Sequence, residues 1–190
     1  MEDQKQYTSL EEYETLEMKE PLAKYEYFDG EVIDMSGGTI NHGLIAGNLQ
    51  FQLRSGLGKN SSCKVFGSDV KVEVEQFNAY VYPDVFVVCD SYKSSGKMEH
   101  VIANPKLIVE VLSDSTQERD KTEKFMYYRS LNSFQEYILV SQKSPIVELF
   151  YKESETKWDI RTFQGLDSVI DVKSLGIKIS LEDIYEGIDF

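Results

Sequence analysis

Two stretches decide how this chain reads: Tyr82-Pro83-Asp84-Val85-Phe86-Val87-Val88 and Lys106-Leu107-Ile108-Val109-Glu110-Val111-Leu112. The first is a strand with a carboxylate at its entrance. The second is a strand with one acid among aliphatics. Glu110 shares a face with Ile108 and Leu112 and opposes Val109 and Val111, so both faces are apolar and the strand is buried. An ionised carboxylate out of water is costly and needs a partner. Acids on two neighbouring strands would bind a hard divalent cation, which makes metal-dependent phosphodiester cleavage worth testing. Each acid also has a plainer use. Asp84 follows a proline at a strand start and could be a turn acid or an edge guard. Glu110 could be half of a structural ion pair.

Working outward, Ser9-Leu10-Glu11-Glu12 fits a capping box and predicts a helix to about Met18. Asp29-Gly30 between Tyr25-Glu26-Tyr27-Phe28 and Glu31-Val32-Ile33-Asp34-Met35 predicts a hairpin. Ser36-Gly37-Gly38 breaks the chain. A helix is expected from Asn41 to Leu57, with Leu44, Ile45, Leu49, Leu53 and Leu57 at helical spacing and Gly58 as its stop. Lys64 to Phe66 and Asp69 to Val74 read as one strand interrupted near Gly67. Val81 to Val88 and Pro105 to Leu112 follow, with a polar loop from Ser91 to Glu99 between them.

Ser115-Thr116-Gln117-Glu118 reads as a second capping box opening a helix to about Leu131. Gln135 to Val140 and Ile146 to Tyr151 are strands joined by a turn at Ser144-Pro145. Trp158 to Phe163 and Ile177 to Ile179 extend that antiparallel part, and Leu181 to Ile188 is a closing helix. The order of helices and strands predicts an α/β fold with a mixed central sheet flanked by helices. A chain of 190 residues reads as one domain over residues 1–190, with its core at about residues 41–141.

Lys124 is the third element of the possible site. Its helix follows the Glu110 strand closely, and Asp120, Lys124 and Tyr128 share a helical face. The same spacing also describes an ordinary surface pair, in a turn that carries Lys121 and Glu123 as well. Taken together, two carboxylates would hold Mg²⁺ or Mn²⁺, and the lysine would stabilise charge developing on the phosphate.

The net charge of -13, from 20 basic and 33 acidic residues, argues against strong non-specific affinity for DNA. It does not exclude a nuclease, because a bound metal makes an acidic cleft attractive to phosphate. No apolar run approaches the length of a membrane span. Met1 to Gln6 are polar and lack the apolar core of a signal peptide. Cys63 and Cys89 read as small core residues of a protein in the reducing cytoplasm. Without a CxxC or a nearby His pair they do not suggest a zinc site.

Tyr82-Pro83-Asp84, Pro105 to Ser113, Ser115-Thr116, Asp120, Lys124, Tyr128 and Glu136-Tyr137 together resemble the Uma-two family. That is a family of restriction-type endonucleases within the PD-(D/E)xK nuclease superfamily. The likeness begins near Tyr25-Glu26 and Asp29-Gly30-Glu31, runs through His42, and covers nearly the whole chain. It implies a restriction-endonuclease-like fold, with Asp84 and Glu110 as ligands of Mg²⁺ or Mn²⁺ and DNA as substrate. The superfamily places its lysine two residues after the second acid, where this chain has Leu112; the family pattern implies that the lysine has moved to Lys124. His42 falls where the superfamily often carries an accessory acid, and Glu31 could line the same cleft. The plainer readings are a capping or surface histidine and an exposed strand acid. Ile138, where the family often has Trp, and Ser141-Gln142, where an Asp-Pro turn is usual, are departures. By analogy with restriction-type enzymes a homodimer is expected. Two other functions fit the acidity: an inactive nuclease-fold binding or regulatory module, and a metal-dependent hydrolase of a small phosphorylated molecule.

Overall fold

The computed structural model describes residues 7–35, 37–98 and 100–190. Met1 to Gln6, Ser36 of the predicted break and Glu99 at the end of the polar loop lie outside the described residues.

The chain opens with α1 (Leu10–Lys19), started by the expected capping box. Ser9 N donates to Glu12 Oε2 at 2.7 Å, and Glu12 N to Ser9 Oγ at 3.2 Å. β1 (Tyr25–Phe28) and β2 (Glu31–Asp34) form the Asp29-Gly30 hairpin. Both turn residues have positive φ, 43° and 97°, as a tight right-twisting turn requires. α2 (Ile40–Leu57) starts at Thr39, whose hydroxyl accepts from His42 N at 3.1 Å. Then come β3 (Cys63–Gly67), β4 (Lys71–Val74), β5 (Ala79–Val81), β6 (Val85–Cys89), the short β7 (Val101–Ile102) and β8 (Leu107–Leu112). α3 (Gln117–Arg119), a π-helical turn (Asp120–Lys124) and α4 (Phe125–Arg129) follow without a break. β9 (Glu136–Ser141), β10 (Ile146–Ser154), β11 (Lys157–Gln164), β12 (Val169–Val172), β13 (Ile177–Ser180) and α5 (Leu181–Ile184) complete the chain.

The main sheet has six strands in the order β11-β10-β9-β8-β6-β3, and it is mixed because β8 and β9 run parallel. β8 lies inside it with both faces covered, which is why it needs aliphatics on both. Val109 and Val111 meet Ile45, Leu49 and Leu53 of α2. Ile108 meets Phe86, Tyr128, Phe134 and Tyr137 on the other side. Each of the three α2 side chains is fully buried and contributes roughly 1.5–3 kcal/mol of apolar burial. A second, five-stranded sheet, β2-β1-β5-β4-β7, supplies Phe28, Val72 and Val74 to the Ile108 side. Among the described residues no helix is long and apolar enough to cross a membrane.

The mixed α/β class stands, and β6 pairs with β8 in one sheet as expected. Several finer expectations are corrected. The run from Val81 to Val88 is two strands: Pro83 cannot donate to a ladder, and the chain crosses there from the five-stranded to the six-stranded sheet. Likewise β3 and β4 belong to different sheets rather than to one interrupted strand. β13 pairs with β12 in a separate two-stranded sheet instead of extending the antiparallel part. The box at Ser115 does not form. Thr116 is the cap residue without a side-chain cap bond, and its own N–H goes to Ser113 Oγ at 3.2 Å. α5 ends at Ile184, short of Ile188.

The cysteines are corrected as well. Cys63 and Cys89 are opposite one another in the β3–β6 register and form a disulfide at the half-buried sheet edge. They are not separate core thiols, and the argument from free thiols to a reducing compartment falls with them. The bridge closes a loop of sequence separation 26. Replacing both cysteines by serine is expected to lower the unfolding free energy by about 3 kcal/mol, through the loop entropy restored to the unfolded chain. Urea denaturation of the oxidised protein and the double variant measures this.

Candidate active site

The sheet crossing at Pro83 sets the position of Asp84. The β6–β8 ladder ends at Val85 opposite Val109, and continuing the register by one residue places Asp84 opposite Glu110. Side chains take over where the ladder stops. Asp84 Oδ2 accepts the Val111 amide at 2.7 Å, and Glu110 Oε2 accepts the Asp84 amide at 3.3 Å. Each acid thus anchors the other's strand.

Glu110 Oε1 accepts from two further groups, Lys124 Nζ at 3.2 Å and the Tyr128 hydroxyl at 2.9 Å. Lys124 is also 3.0 Å from Glu26 Oε1 and 3.3 Å from Asp120 Oδ1, with only 2% of its surface exposed. Glu26, on β1 of the other sheet, accepts the Tyr82 amide at 3.0 Å. His42, in the first turn of α2, places Nε2 3.2 Å from Asp84 Oδ2. The structure therefore gathers Asp84, Glu110, Lys124, Asp120 and His42 in one cluster. Glu31 is not gathered with them. It lies on β2 opposite Phe28, and its field falls on Tyr127.

Glu26 was missed as a member of the site, although a signal for it exists. In Tyr25-Glu26-Tyr27-Phe28 the acid alternates onto the same strand face as Phe28, which is apolar. The π-helical turn was also unforeseen. Its wider spacing frees backbone carbonyls, and side chains take them: Tyr137 OH donates to Asp120 O at 3.0 Å, and Thr122 Oγ1 to Glu118 O at 2.7 Å. The result is that Asp120 and Lys124 both face inward and are buried.

Burial pushes the Glu110 carboxyl well above the usual carboxylate range. Lys124 opposes this, while Asp120, Asp84 and Glu26 reinforce it. Burial pulls Lys124 down, but the carboxylates of Glu110, Glu26 and Asp120 outweigh it and hold the ammonium well above its ordinary value. Burial and the Glu110 charge raise Tyr128 well above the ordinary phenol, so its hydroxyl stays a donor. The hydrogen bond that His42 donates to Asp84 raises the imidazole, against the opposing effect of burial.

Four carboxylates, from Glu26, Asp84, Glu110 and Asp120, face one ammonium and one imidazole. Asp120 Oδ1 is within ion-pair distance of Lys124, yet it is buried with no hydrogen bond among the described residues. Entry from solvent is at His42 and Asp84, whose side chains are 21% and 15% exposed against 2–4% for Glu26, Glu110, Asp120 and Lys124.

Two sheets meeting at an acid–lysine cluster, with helices on the mixed sheet, make this a restriction-endonuclease-like fold. A crystal structure described as "a putative nuclease belonging to DUF820" from Anabaena variabilis superposes with a TM-score of 0.73 at 17% identity. The match covers 94% of this chain and 97% of that one, a likeness of fold. The Uma2 family model, described as "Putative restriction endonuclease", matches residues 10–182, and the chain belongs to that family. It is 35% identical over 182 residues to "Uncharacterized protein slr1290" of Synechocystis, covering 96% of this chain and 93% of that protein. It is 32% identical over 154 residues to "Uncharacterized protein sll1609" of the same organism, covering 81% and 86%.

Lys124→Met is expected to destabilise the fold by about 3–5 kcal/mol in chemical denaturation, because it strands three buried carboxylates without their counter-charge.

The His42–Asp84 pair gives a pH signature. A base whose folded pKa is raised stabilises fully below its unfolded value, here near 6.5, and the gain is lost as pH rises through the folded value. In metal-free protein, the stability advantage of the wild type over His42→Gln should be present at about pH 5–6 and fade in alkaline solution. An advantage that grows with pH would contradict the pairing.

Proposed function

We propose that the chain is a metal-dependent endonuclease that hydrolyses phosphodiester bonds in DNA. One observation carries this reading: Asp84 just before β6, Glu110 on β8 and Lys124 in the π-helical turn share one hydrogen-bonded cluster at the open end of the main sheet. Membership of a family described as restriction endonucleases supports it.

Asp84 and Glu110 would hold one Mg²⁺ or Mn²⁺ ion. The donor set fits such an ion. It is all oxygen, it has more acids than cations, and one buried carboxylate oxygen, Asp120 Oδ1, lacks a hydrogen bond among the described residues. Among the described residues no three His, Cys, Asp or Glu side chains form a ready-made cage. Mg²⁺ needs none, since it commonly takes one or two protein carboxylates and fills its shell with water and phosphate oxygens. Bound there, the ion supplies Lewis-acid polarisation of the phosphate and a more acidic water.

The chain's own residues prepare the site. The Val111 amide and His42 Nε2 fix the Asp84 carboxylate through Oδ2, and no hydrogen bond to Oδ1 is seen among the described residues. Tyr128 and Lys124 fix Glu110 through Oε1. The lysine was expected to touch the phosphate. Buried among three carboxylates, it is better placed as a positioning residue that acts through Glu110, keeping that carboxylate oriented and favouring its ionised form. His42, the most open ionisable side chain of the cluster, is where a proton can pass between Asp84 and solvent.

A second reading, a nuclease-fold binding module without turnover, is favoured by that same burial of Lys124, whose charge is fully occupied inside the protein.

Purified protein with Mg²⁺ or Mn²⁺ is expected to nick plasmid DNA at low salt and to stop when EDTA is added. Asp84→Ala and Glu110→Ala should each cost about 100-fold or more in rate, and calorimetry should show Mn²⁺ binding lost in Asp84→Ala. Lys124→Arg should retain more activity than Lys124→Met, with the loss in kcat rather than KM. A wild type no more active than Glu110→Ala, across DNA substrates and both metals, would decide for the binding module.

A further inference from the structure

A groove of about 940 Å³ runs along the outer edge of the main sheet, between β3 and the C-terminal half of α2. In a chain of net charge -13, it is lined by Arg54, Lys59 and Lys64, and by no Asp or Glu among the described residues. All three basic residues are exposed, and none of their side chains has a hydrogen bond or ion pair among the described residues. Most other lysines on this surface are matched with an acid, as Lys24 is with Asp69, Lys97 with Glu75 and Lys121 with Glu148.

Aromatic rings line the same groove. Phe51 on α2 is 66% exposed and Tyr92, just past β6, is 55% exposed. Tyr92 stands edge-on to Phe66 of β3 at 5.6 Å, and Phe66 stacks on Phe86 at 5.0 Å. Large exposed rings have an apolar cost, and nothing in the fold covers these faces fully. Strand alternation puts Lys64 and Phe66 on the opposite bank of β3 from α2, so the groove has a charged and an aromatic element on both sides. Lys64 alone would be an ordinary guard of an edge strand. Three unpaired cations and three rings gathered in one groove fit a chain that carries an anion at each unit and a flat face beside it.

Both elements that border the groove, β3 and α2, extend to the candidate active site. Gly67, at one end of β3, pairs with Val85, the residue after Asp84. α2 carries His42 against Asp84 at its N-terminus and Arg54 roughly 18 Å further along its axis.

We propose that this groove binds a single strand of DNA leading away from Asp84, with Arg54, Lys59 and Lys64 on phosphates and Phe51, Phe66 and Tyr92 against bases. The choice of DNA rests on the nuclease reading; the recognition of a single strand rests on cations and exposed rings lining the same groove. It also accounts for how an acidic protein holds a polyanion: the basic residues need only line one track.

Fluorescence anisotropy with a labelled single-stranded oligodeoxynucleotide, in EDTA so that no cleavage intervenes, tests this. Wild type should bind at low salt. Arg54→Ser, Lys59→Ser and Lys64→Ser combined should reduce the slope of log affinity against log salt by about 2, because three phosphates are no longer neutralised. Phe51→Ala and Tyr92→Ala should each weaken binding about 10-fold. All these positions but Phe66 are open to solvent, so melting temperatures should stay unchanged. Binding that falls in these variants supports the groove whether or not the wild type cuts DNA, so failure of catalysis is read separately, in the plasmid assay. Absent single-strand binding, variants that bind like wild type, tighter binding of duplex or RNA, or a dimer dissociated by the same changes would overturn it.

Discussion

A single ammonium group, Lys124 Nζ, stands out of water between carboxylates from three parts of the chain: Glu26 of the five-stranded sheet, Glu110 of the six-stranded sheet and Asp120 of the helix. Removing such a charge from water costs several kcal/mol even after the surroundings relax, and one partner rarely offsets it. Three partners do, provided that all three elements keep their places. The cluster therefore fixes the two sheets and the helix relative to one another. Replacing a whole buried ion cluster by apolar side chains of similar volume is often neutral or stabilising, whereas removing one partner alone is costly. That this core spends its centre on four acids and a lysine, surrounded by Phe86, Phe134 and Tyr137, is a reason to read the cluster as chemistry rather than as scaffolding.

The backbone that brings the acids together is set by one proline. Pro83 ends the pairing of β5 in one sheet, and β6 begins two residues later in the other. At that crossing the ladder to β8 has stopped, so the Val111 and Asp84 amides would lack partners. The Asp84 and Glu110 carboxylates supply them. The acids thus satisfy backbone groups that burial would otherwise penalise. They also remain together at an opening, where Asp84 is reachable and Glu110 is not.

Charge is distributed to the same end. The chain as a whole repels polyanions, and the candidate site is more acidic still. Three cations without an ion pair among the described residues, Arg54, Lys59 and Lys64, lie along the edge of β3 and the end of α2, beside the exposed rings of Phe51 and Tyr92. α2 joins the two regions, because its capped first turn carries His42 and its last turns carry Arg54. Thr39, which caps that helix, also hydrogen-bonds Gln142 at the end of β9, and Gln142 Nε2 reaches Leu112 O at 3.0 Å. The first turn of α2 is thereby tied to the ends of the two parallel strands.

Local pattern determined what depends on local physics. Alternation in Leu107–Leu112 marked a strand buried on both faces with one acid, helical spacing from Ile45 to Leu53 marked the helix that covers it, and Asp29-Gly30 and Ser9–Glu12 fixed a turn and a cap. Asp84, Glu110, Asp120, Lys124 and His42 could be named on those grounds and by family likeness. Tertiary structure decided everything that depends on which segments meet. The split of Val81–Val88 between sheets, the departure of β4 from β3 and the disulfide between Cys63 and Cys89 all follow from register between distant strands, which no short window encodes. Glu26 joined the site, and Glu31 did not, although the hairpin register puts both on the Phe28 face: Glu26 lies on the inner strand β1 and Glu31 on the edge strand β2, a placement that only the pairing of distant strands decides. Lys124 became a buried counter-charge rather than a surface pair for the same reason. The sequence supplies an ammonium four residues after an acid, but only the packing of two sheets removes the water from around it.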